Sequence, residues 1–344
     1  MCRYFTFLIL ILFSCTSMAG SSGAGVTDND VPENQNPSYV PTTYSNPVCH
    51  SSLPDPTLIE VDGTFYLYAT EDTRNVPIMA SNNLVTWTQV GTVFTETNRP
   101  NFVENGGVWA PDVNKIGNYY VLYYCMSVWG GIDSCGIGVA ISDNPQGPWV
   151  NRGKLFISSE IGVTNSIDPF FIQEDGKNYL FWGSWFGIWG IELSENGLSV
   201  KQGAEKVQIA GTAYEGSYIH KHDGYYYLFG SNGNCCEGFN TKYITVVGRS
   251  TSLFGPYVDR KGRPMMENHY ETVLQGDGIN FFGPGHNSEI ITDKNGDDWI
   301  LYHCYTRKTG DRARALMLDK VEWVDGWPEI NMGHPSAVSE RPVF

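Results

Sequence analysis

Three acidic residues stand at matching places along the chain. Asp55 and Asp168 each lie eight residues before a turn glycine (Gly63, Gly176), and Glu215 lies nine before Gly224. Each sits where a strand-like run begins. Carboxylates brought close together repel, so their pKa values separate, and one stays ionised while another keeps its proton. A base beside an acid is the pairing that hydrolysis of a glycosidic bond uses. The same residue types have plainer uses, because Asp starts turns and tolerates left-handed backbone. Asp62, Asp175 and Asp223 are read in that plainer way, as turn residues.

The elements that must carry these acids repeat. The segments DPTLIEVDGTFYLYAT (from Asp55), PDVNKIGNYYVLYY (from Pro111), DPFFIQEDGKNYLFWG (from Asp168), EGSYIHKHDGYYYLFG (from Glu215) and SEIITDKNGDDWILYH (from Ser288) share one plan. An apolar strand runs into a glycine turn and returns as an aromatic strand. Asp62-Gly63, Asp175-Gly176, Asp223-Gly224 and Asn295-Gly296 are two-residue hairpin signals, with Ile116-Gly117 a weaker form. The turn glycines 63, 117, 176, 224 and 296 are separated by 54, 59, 48 and 72 residues. A strand-only period near 50 residues is the signature of propeller blades. The expected fold is therefore all-β, a five-bladed β-propeller over residues 41–344, preferred to an irregular sandwich that would not repeat. Gly138–Ser142 and Tyr243–Ser250 supply further strands between the hairpins. The first strand of each blade lines the central channel, so the three acids converge on one funnel.

Composition narrows the partner. The formal net charge is −15 and no Lys/Arg cluster occurs, which excludes nucleic acid as a phosphate-binding partner and disfavours an anionic membrane surface. A neutral substrate and a monomer are expected. Trp109, Trp129, Trp182, Trp185, Phe186 and Trp189 offer flat faces for a sugar ring, against the plainer reading of packing between blades. His286, among glycines in Gly283-Pro284-Gly285-His286-Asn287-Ser288, stands at a blade mouth where a ligand or ion role is open.

The first residues lie apart from this fold. Arg3 followed by the apolar run Phe5 to Phe13 is too short to span a membrane and has the shape of an export signal. Leu12-Phe13-Ser14-Cys15 resembles a bacterial lipobox, so residues 1–15 read as a lipoprotein signal with Cys15 as the lipid anchor. The alternative is cleavage near Ala19 or Ala24 and release to the periplasm or the medium. Residues 16–40 are small, polar and Pro-containing, as a flexible tether is. Cys125 and Cys135 are candidates to bridge a loop. The adjacent Cys235-Cys236 pair has no evident role in the sequence.

The ordered motifs identify a resemblance. Pro54-Asp55-Pro56, Val108-Trp109-Ala110-Pro111-Asp112, Asn165-Ser166-Ile167-Asp168-Pro169, Tyr214-Glu215-Gly216-Ser217-Tyr218-Ile219 and Gly283-Pro284-Gly285-His286 resemble glycoside hydrolase family 43. Asn234-Cys235-Cys236-Glu237-Gly238, Val247-Gly248-Arg249-Ser250 and Gly255-Pro256-Tyr257 are similar to its arabinanase branch. The likeness runs from about residue 45 to 330. It implies an inverting enzyme acting on α-1,5-linked L-arabinan, with endo action favoured. Exo action, an α-L-arabinofuranosidase, a β-xylosidase of the same fold, or a non-catalytic sugar-binding propeller are the alternatives. Residue by residue, it implies Asp55 as general base, Glu215 as general acid, and Asp168 as the group that positions Glu215 and raises its pKa. It places Trp109, Asn165, Ser166 and Ser184 near the cleaved sugar. It puts His286 beside a largely water-liganded calcium ion at the propeller centre. Two departures stand out. Pro54 replaces a usual His, and Glu-Gly-Ser replaces Glu-Ala-Pro or Glu-Gly-Pro.

Overall fold

The Asp-Gly pairs fold as hairpin turns. In a computed structural model that describes residues 41–70 and 74–344, Asp62, Asp175 and Asp223 take φ of 50°, 50° and 46°, and Gly63, Gly176 and Gly224 take 74°, 73° and 79°. Positive φ at both centres is the type I′ turn that matches strand twist. Two turns differ from the expectation. The second closes over Gly117-Asn118, because Ile116 pairs with Tyr119, and only its glycine takes positive φ. In the fifth, Asn295 does not take positive φ. Thr292 pairs with Asp298 there, and the longer loop is held by the Asp293 carboxylate, which accepts from the Asn295 and Asp297 amides. The export signal, the Cys15 anchor and the tether lie outside the described residues.

These hairpins build five sheets in order round a ring. Blade 1 comprises Thr57–Val61, Thr64–Tyr68, Pro77–Ser81 and Thr88–Thr92, paired in sequence order. Blade 2 comprises Gly107–Ile116, Tyr119–Ser127, Gly136–Ser142 and Val150–Ile157, and blade 3 Phe170–Glu174, Lys177–Trp182, Ile188–Glu192 and Val207–Ala210. Blade 4 comprises Glu215–His222, Tyr225–Asn232, Ile244–Ser250 and Glu271–Leu274. Blade 5 has Phe281–Gly285 and Ile290–Thr292 inside, then Asp298–Thr306 and Gly310–Val324. Its outer strand is Cys49–Ser52, from the start of the domain. Closure through an early strand ties the first and last parts of the described domain, and Thr43–Ser45 pairing with Val338–Glu340 repeats the tie.

The apolar core lies between blades. Phe171, Leu180 and Trp182 of blade 3 pack with Tyr123, Ile137 and Val139 of blade 2, and corresponding clusters join the other neighbours. Near the axis a polar ring repeats once per junction. In each case an inner-strand amide donates to a side chain of the preceding blade. Val113 donates to Thr57 Oγ1 (3.1 Å), Phe171 to Asp112 Oδ2 (2.8 Å) and Gly216 to Asp168 Oδ2 (3.1 Å). Ile290 donates to the Tyr218 hydroxyl (3.0 Å), and Leu58 to Glu289 Oε2 (2.6 Å). Buried backbone donors must find partners, and this ring supplies them where inner strands meet no further strand. Asp168 is thus a member of the ring as well as of the candidate site.

Candidate active site

The mouths of the inner strands share an unusual backbone. Asp55, Ala110, Asp168, Gly216 and His286, one from each blade, take φ of 57°, 37°, 57°, 59° and 46°. Gly and Asp visit this conformation readily, so Ala110 and His286 are the members that the surrounding fold must hold in place. The pattern explains the offset in the sequence. Gly216, not Glu215, occupies the position equivalent to Asp55 and Asp168, eight residues before its turn glycine. Glu215 therefore shares the register of Trp109, one residue before the bend. Glycine is needed at 216, because a Cβ there would lie 2.9 Å from Cγ of the His286 ring.

The bends open into a cavity of about 400 Å³. Its wall includes Asp55, Asp168, Glu215, His286 and Arg314, with Trp109, Trp129 and Trp185 as the aromatic faces. Asn165 and Ser184 also line it, while Ser166 does not. Ser166 is fully buried, donating to the Val163 carbonyl and accepting from the Trp182 indole. It holds the loop that carries Asn165 and Asp168, so the expected contact with sugar is corrected to a structural role. Trp182 is likewise core, while Phe186 and Trp189 lie outside the lining.

Asp55 is the most strongly partnered acid. His286 Nδ1 and Arg314 Nη1 lie 3.2 and 3.3 Å from its Oδ1. His303 Nδ1 is 3.4 Å from the same oxygen. That nitrogen accepts the Asp55 amide proton at 3.2 Å, so the His303 contact is not an ion pair. Burial also pushes His303 down to about 4, which keeps it neutral. Burial works to raise the Asp55 pKa, but Arg314 and then His286 outweigh it and hold the carboxyl well below its usual range. Burial would lower His286, yet the Asp55 charge lifts it to about 9. Asp55 and His286 are therefore an ionised pair at neutral pH.

The other two acids are held differently. Glu215 Oε2 accepts a hydrogen bond from Ser184 Oγ at 2.7 Å. Asn165 Nδ2 donates to the Ser184 carbonyl at 3.1 Å, which fixes that residue. Asp168 is pushed up to about 7 by burial, with His286 pulling down and the charges of Glu215 and Asp55 pushing further up. Among these acids, then, one is firmly ionised and another holds a proton close to neutrality. Tyr243, fully buried against Glu215 and Asp168, completes the wall.

Two features of the cavity follow from cysteine chemistry and aromatic burial. Cys235 and Cys236 form a disulfide between adjacent residues and line the cavity. Cys125 and Cys135 are free and buried, which corrects the expected bridge. Cys125 pairs across the sheet with Ile137 rather than with Cys135, and its thiol donates to the Trp109 carbonyl. Trp109 presents a buried indole N–H without a partner, a donor that an incoming hydroxyl would satisfy.

The geometry agrees with relatives. The Glycosyl hydrolases family 43 model matches residues 44–328. The chain belongs to this family. The extracellular endo-α-(1→5)-L-arabinanase 1 of Bacillus subtilis (strain 168) is 32% identical over 290 residues, covering 80% of this chain and 87% of that one. A Cellvibrio cellulosa α-L-arabinanase solved with arabinohexaose superposes with a TM-score of 0.74 at 28% identity, over 81% of this chain and 95% of that one. An exo-1,5-α-L-arabinanase from a bovine ruminal metagenomic library gives a TM-score of 0.70 at 30% identity, over 81% and 97%.

For a family 43 chain the residues missed by sequence reasoning are instructive. Arg314 and His303 both come from the closing blade, 259 and 248 residues from Asp55. The one signal for His303 is a polar residue inside the otherwise apolar-aromatic run Trp299 to Tyr305. Next in the chain to the bend residues Gly216 and His286, Ser217 Oγ and Asn287 Oδ1 are buried oxygens without partners among the described residues. Hard cations prefer oxygen donors with water completing the shell, so these two oxygens suit a calcium ion, while the ring nitrogen of His286 that faces away from Asp55 would ligate only by giving up its proton to the incoming ion.

Proposed function

We propose that this glycoside hydrolase cleaves α-1,5-linked L-arabinan by inversion, with endo action, as an exported enzyme. The observation that carries the proposal is the division of labour among the three acids that line one cavity. Asp55 stands alone with Arg314 and His286, while Glu215 and Asp168 form a second group joined through Gly216. In this reading Asp55, kept ionised, accepts a proton from the attacking water. Glu215 protonates the leaving oxygen. Ser184 donates into Oε2, which leaves Oε1 to carry the acidic proton toward the substrate. Asp168 positions Glu215 by gripping the amide of the next residue, and once ionised its charge favours the protonated acid. Inversion requires room for water between the two carboxyls, about 6.5–9.5 Å. Trp109, Asn165 and Ser184 bound the subsite at the cleaved bond, and Trp129 with Trp185 extend it.

The names of the relatives support arabinan as substrate and, for the Bacillus protein, export. A calcium ion held by Ser217, Asn287 and a deprotonated His286 nitrogen would supply fixed positive charge to the site. In the same reading the enzyme is a monomer held to the cell envelope by a lipid on Cys15.

The deciding experiment is product analysis on linear arabinan, branched arabinan and xylan. Short arabino-oligosaccharides of inverted anomeric form, with xylan untouched, are expected. Arabinose alone would replace endo by exo action. No product from any polymer would move the reading to a non-catalytic sugar binder.

A further inference from the structure

The far end of blade 4 carries a second constellation. His220 and His222 alternate on the inner strand Glu215–His222, so both rings project from one face. Asp298, the first residue of the second strand of blade 5, faces them. One ligand atom from each of the three lies within 4.8 Å of the others. The cluster is five and seven residues from Glu215 along an extended strand, about 16–23 Å from the cavity. It is separate from the site described above.

Its surroundings are those of a built ligand set. The Tyr218 hydroxyl is 3.0 Å from His220 Nδ1, which orients the ring, and with Nδ1–H donating to that oxygen Nε2 is the nitrogen left to ligate. A ligating imidazole held through its other nitrogen is the usual arrangement at metals. Trp323 stacks on His222 at 3.7 Å and 6°, and its Nε1 donates to Asp298 Oδ2 at 2.7 Å. Thr292 Oγ1 donates to Asp298 Oδ1 at 2.6 Å. Asp298 is buried, and its partners are neutral. The nearby Lys320 pairs with Asp297 instead. A buried carboxylate needs a compensating charge, and beyond the two imidazoles of the cluster no Lys or Arg among the described residues is paired with Asp298.

We infer that His220, His222 and Asp298 form a binding site for a borderline divalent metal ion of the zinc class, clasping blade 4 to blade 5. Two imidazoles and one carboxylate suit Zn²⁺, Co²⁺ or Ni²⁺, whereas calcium and magnesium want a shell of oxygens. The fourth position is left to water. The ion bridges two blades at the face away from the cavity, so its effect is on stability and not on turnover.

Calorimetric titration of chelator-treated protein with Zn²⁺ tests this directly. One equivalent is expected to bind, unaffected by tenfold excess Ca²⁺, and to raise the melting temperature. His222→Ala, at a half-exposed strand end, is expected to weaken binding at least about 100-fold with arabinan hydrolysis unchanged. Tyr218→Phe is expected to weaken it about tenfold, as loss of an outer partner does. Co²⁺ adds a readout independent of heat, a visible absorption band present in the wild type and lost in His222→Ala. Absence of stoichiometric Zn²⁺ binding would overturn the inference. So would Zn²⁺ affinity equal in the wild type and in a folded His222→Ala protein.

Discussion

The two ends of the inner strands use the same residue in the same backbone state for opposite ends. Asp55 and Asp62 bracket one strand, with φ of 57° and 50°. Asp168 and Asp175 bracket another, with 57° and 50°. At the hairpin end the Asp is exposed and its side chain serves only the turn. At the mouth it is buried, and its charge has been given partners from other blades. Left-handed backbone is cheap for Asp, so the conformation alone marks neither end as functional. What separates them is the field imposed by residues remote in the chain.

The largest effects should come from removing charge at the mouth. Asp55→Asn and Glu215→Gln are each expected to lower kcat on arabinan by about 10²–10⁴-fold, the usual weight of a general base or acid. Binding of arabino-oligosaccharide by Glu215→Gln should stay nearly intact. Wild-type turnover in either variant would remove that residue from its proposed role.

Next in size is the bend itself. Gly216→Ala must place a Cβ in left-handed backbone and against the His286 ring, 2.9 Å from its Cγ. A cost of about 1–3 kcal/mol in stability is expected. Displacement of His286 and Glu215 should add a fall in kcat of about tenfold or more. A variant with unchanged melting temperature and rate would show that the mouth tolerates what the hairpin end would not be asked to tolerate.

Arg314 tests the remote field. Arg314→Met removes the largest attraction holding Asp55 down, so the Asp55 pKa rises and the acid limb of kcat/KM moves up with it. A shift of about 1–3 units is expected for loss of an adjacent opposite charge. The alkaline limb should stay in place, because Arg314 pairs with Asp55 and with neither Glu215 nor Asp168. An acid limb identical to that of the wild type would show that Arg314 does not tune Asp55.

The same contrast explains what the sequence made legible. Hairpin turns are local, so Asp-Gly pairs and a period near 50 residues disclosed five blades, and the acids were visible because each opens a blade. Ser166 was misplaced because its fate depends on Trp182 and Val163, which bury its hydroxyl. Cys125 and Cys135 looked bridgeable in one dimension, but strand register sets Cys125 opposite Ile137. Arg314 and His303 were invisible for a stronger reason. Only ring closure, with Cys49–Ser52 joining the last blade, brings blade 5 against Asp55.

The smallest effect is expected at the hairpin end, and it completes the comparison. Asn adopts left-handed backbone as readily as Asp, so Asp62→Asn keeps the turn and removes only an exposed charge. Activity should be unchanged, and the melting temperature should stay within about 2 °C, the range of a neutral surface substitution. Asp55→Asn makes the identical chemical change in the identical conformation, seven residues away on the same strand. If both variants lost activity equally, the loss would lie in the blade fold and not in the charge at the mouth. If only Asp55→Asn does, the partners Arg314 and His286 are what turn a turn-forming residue into a reactive one.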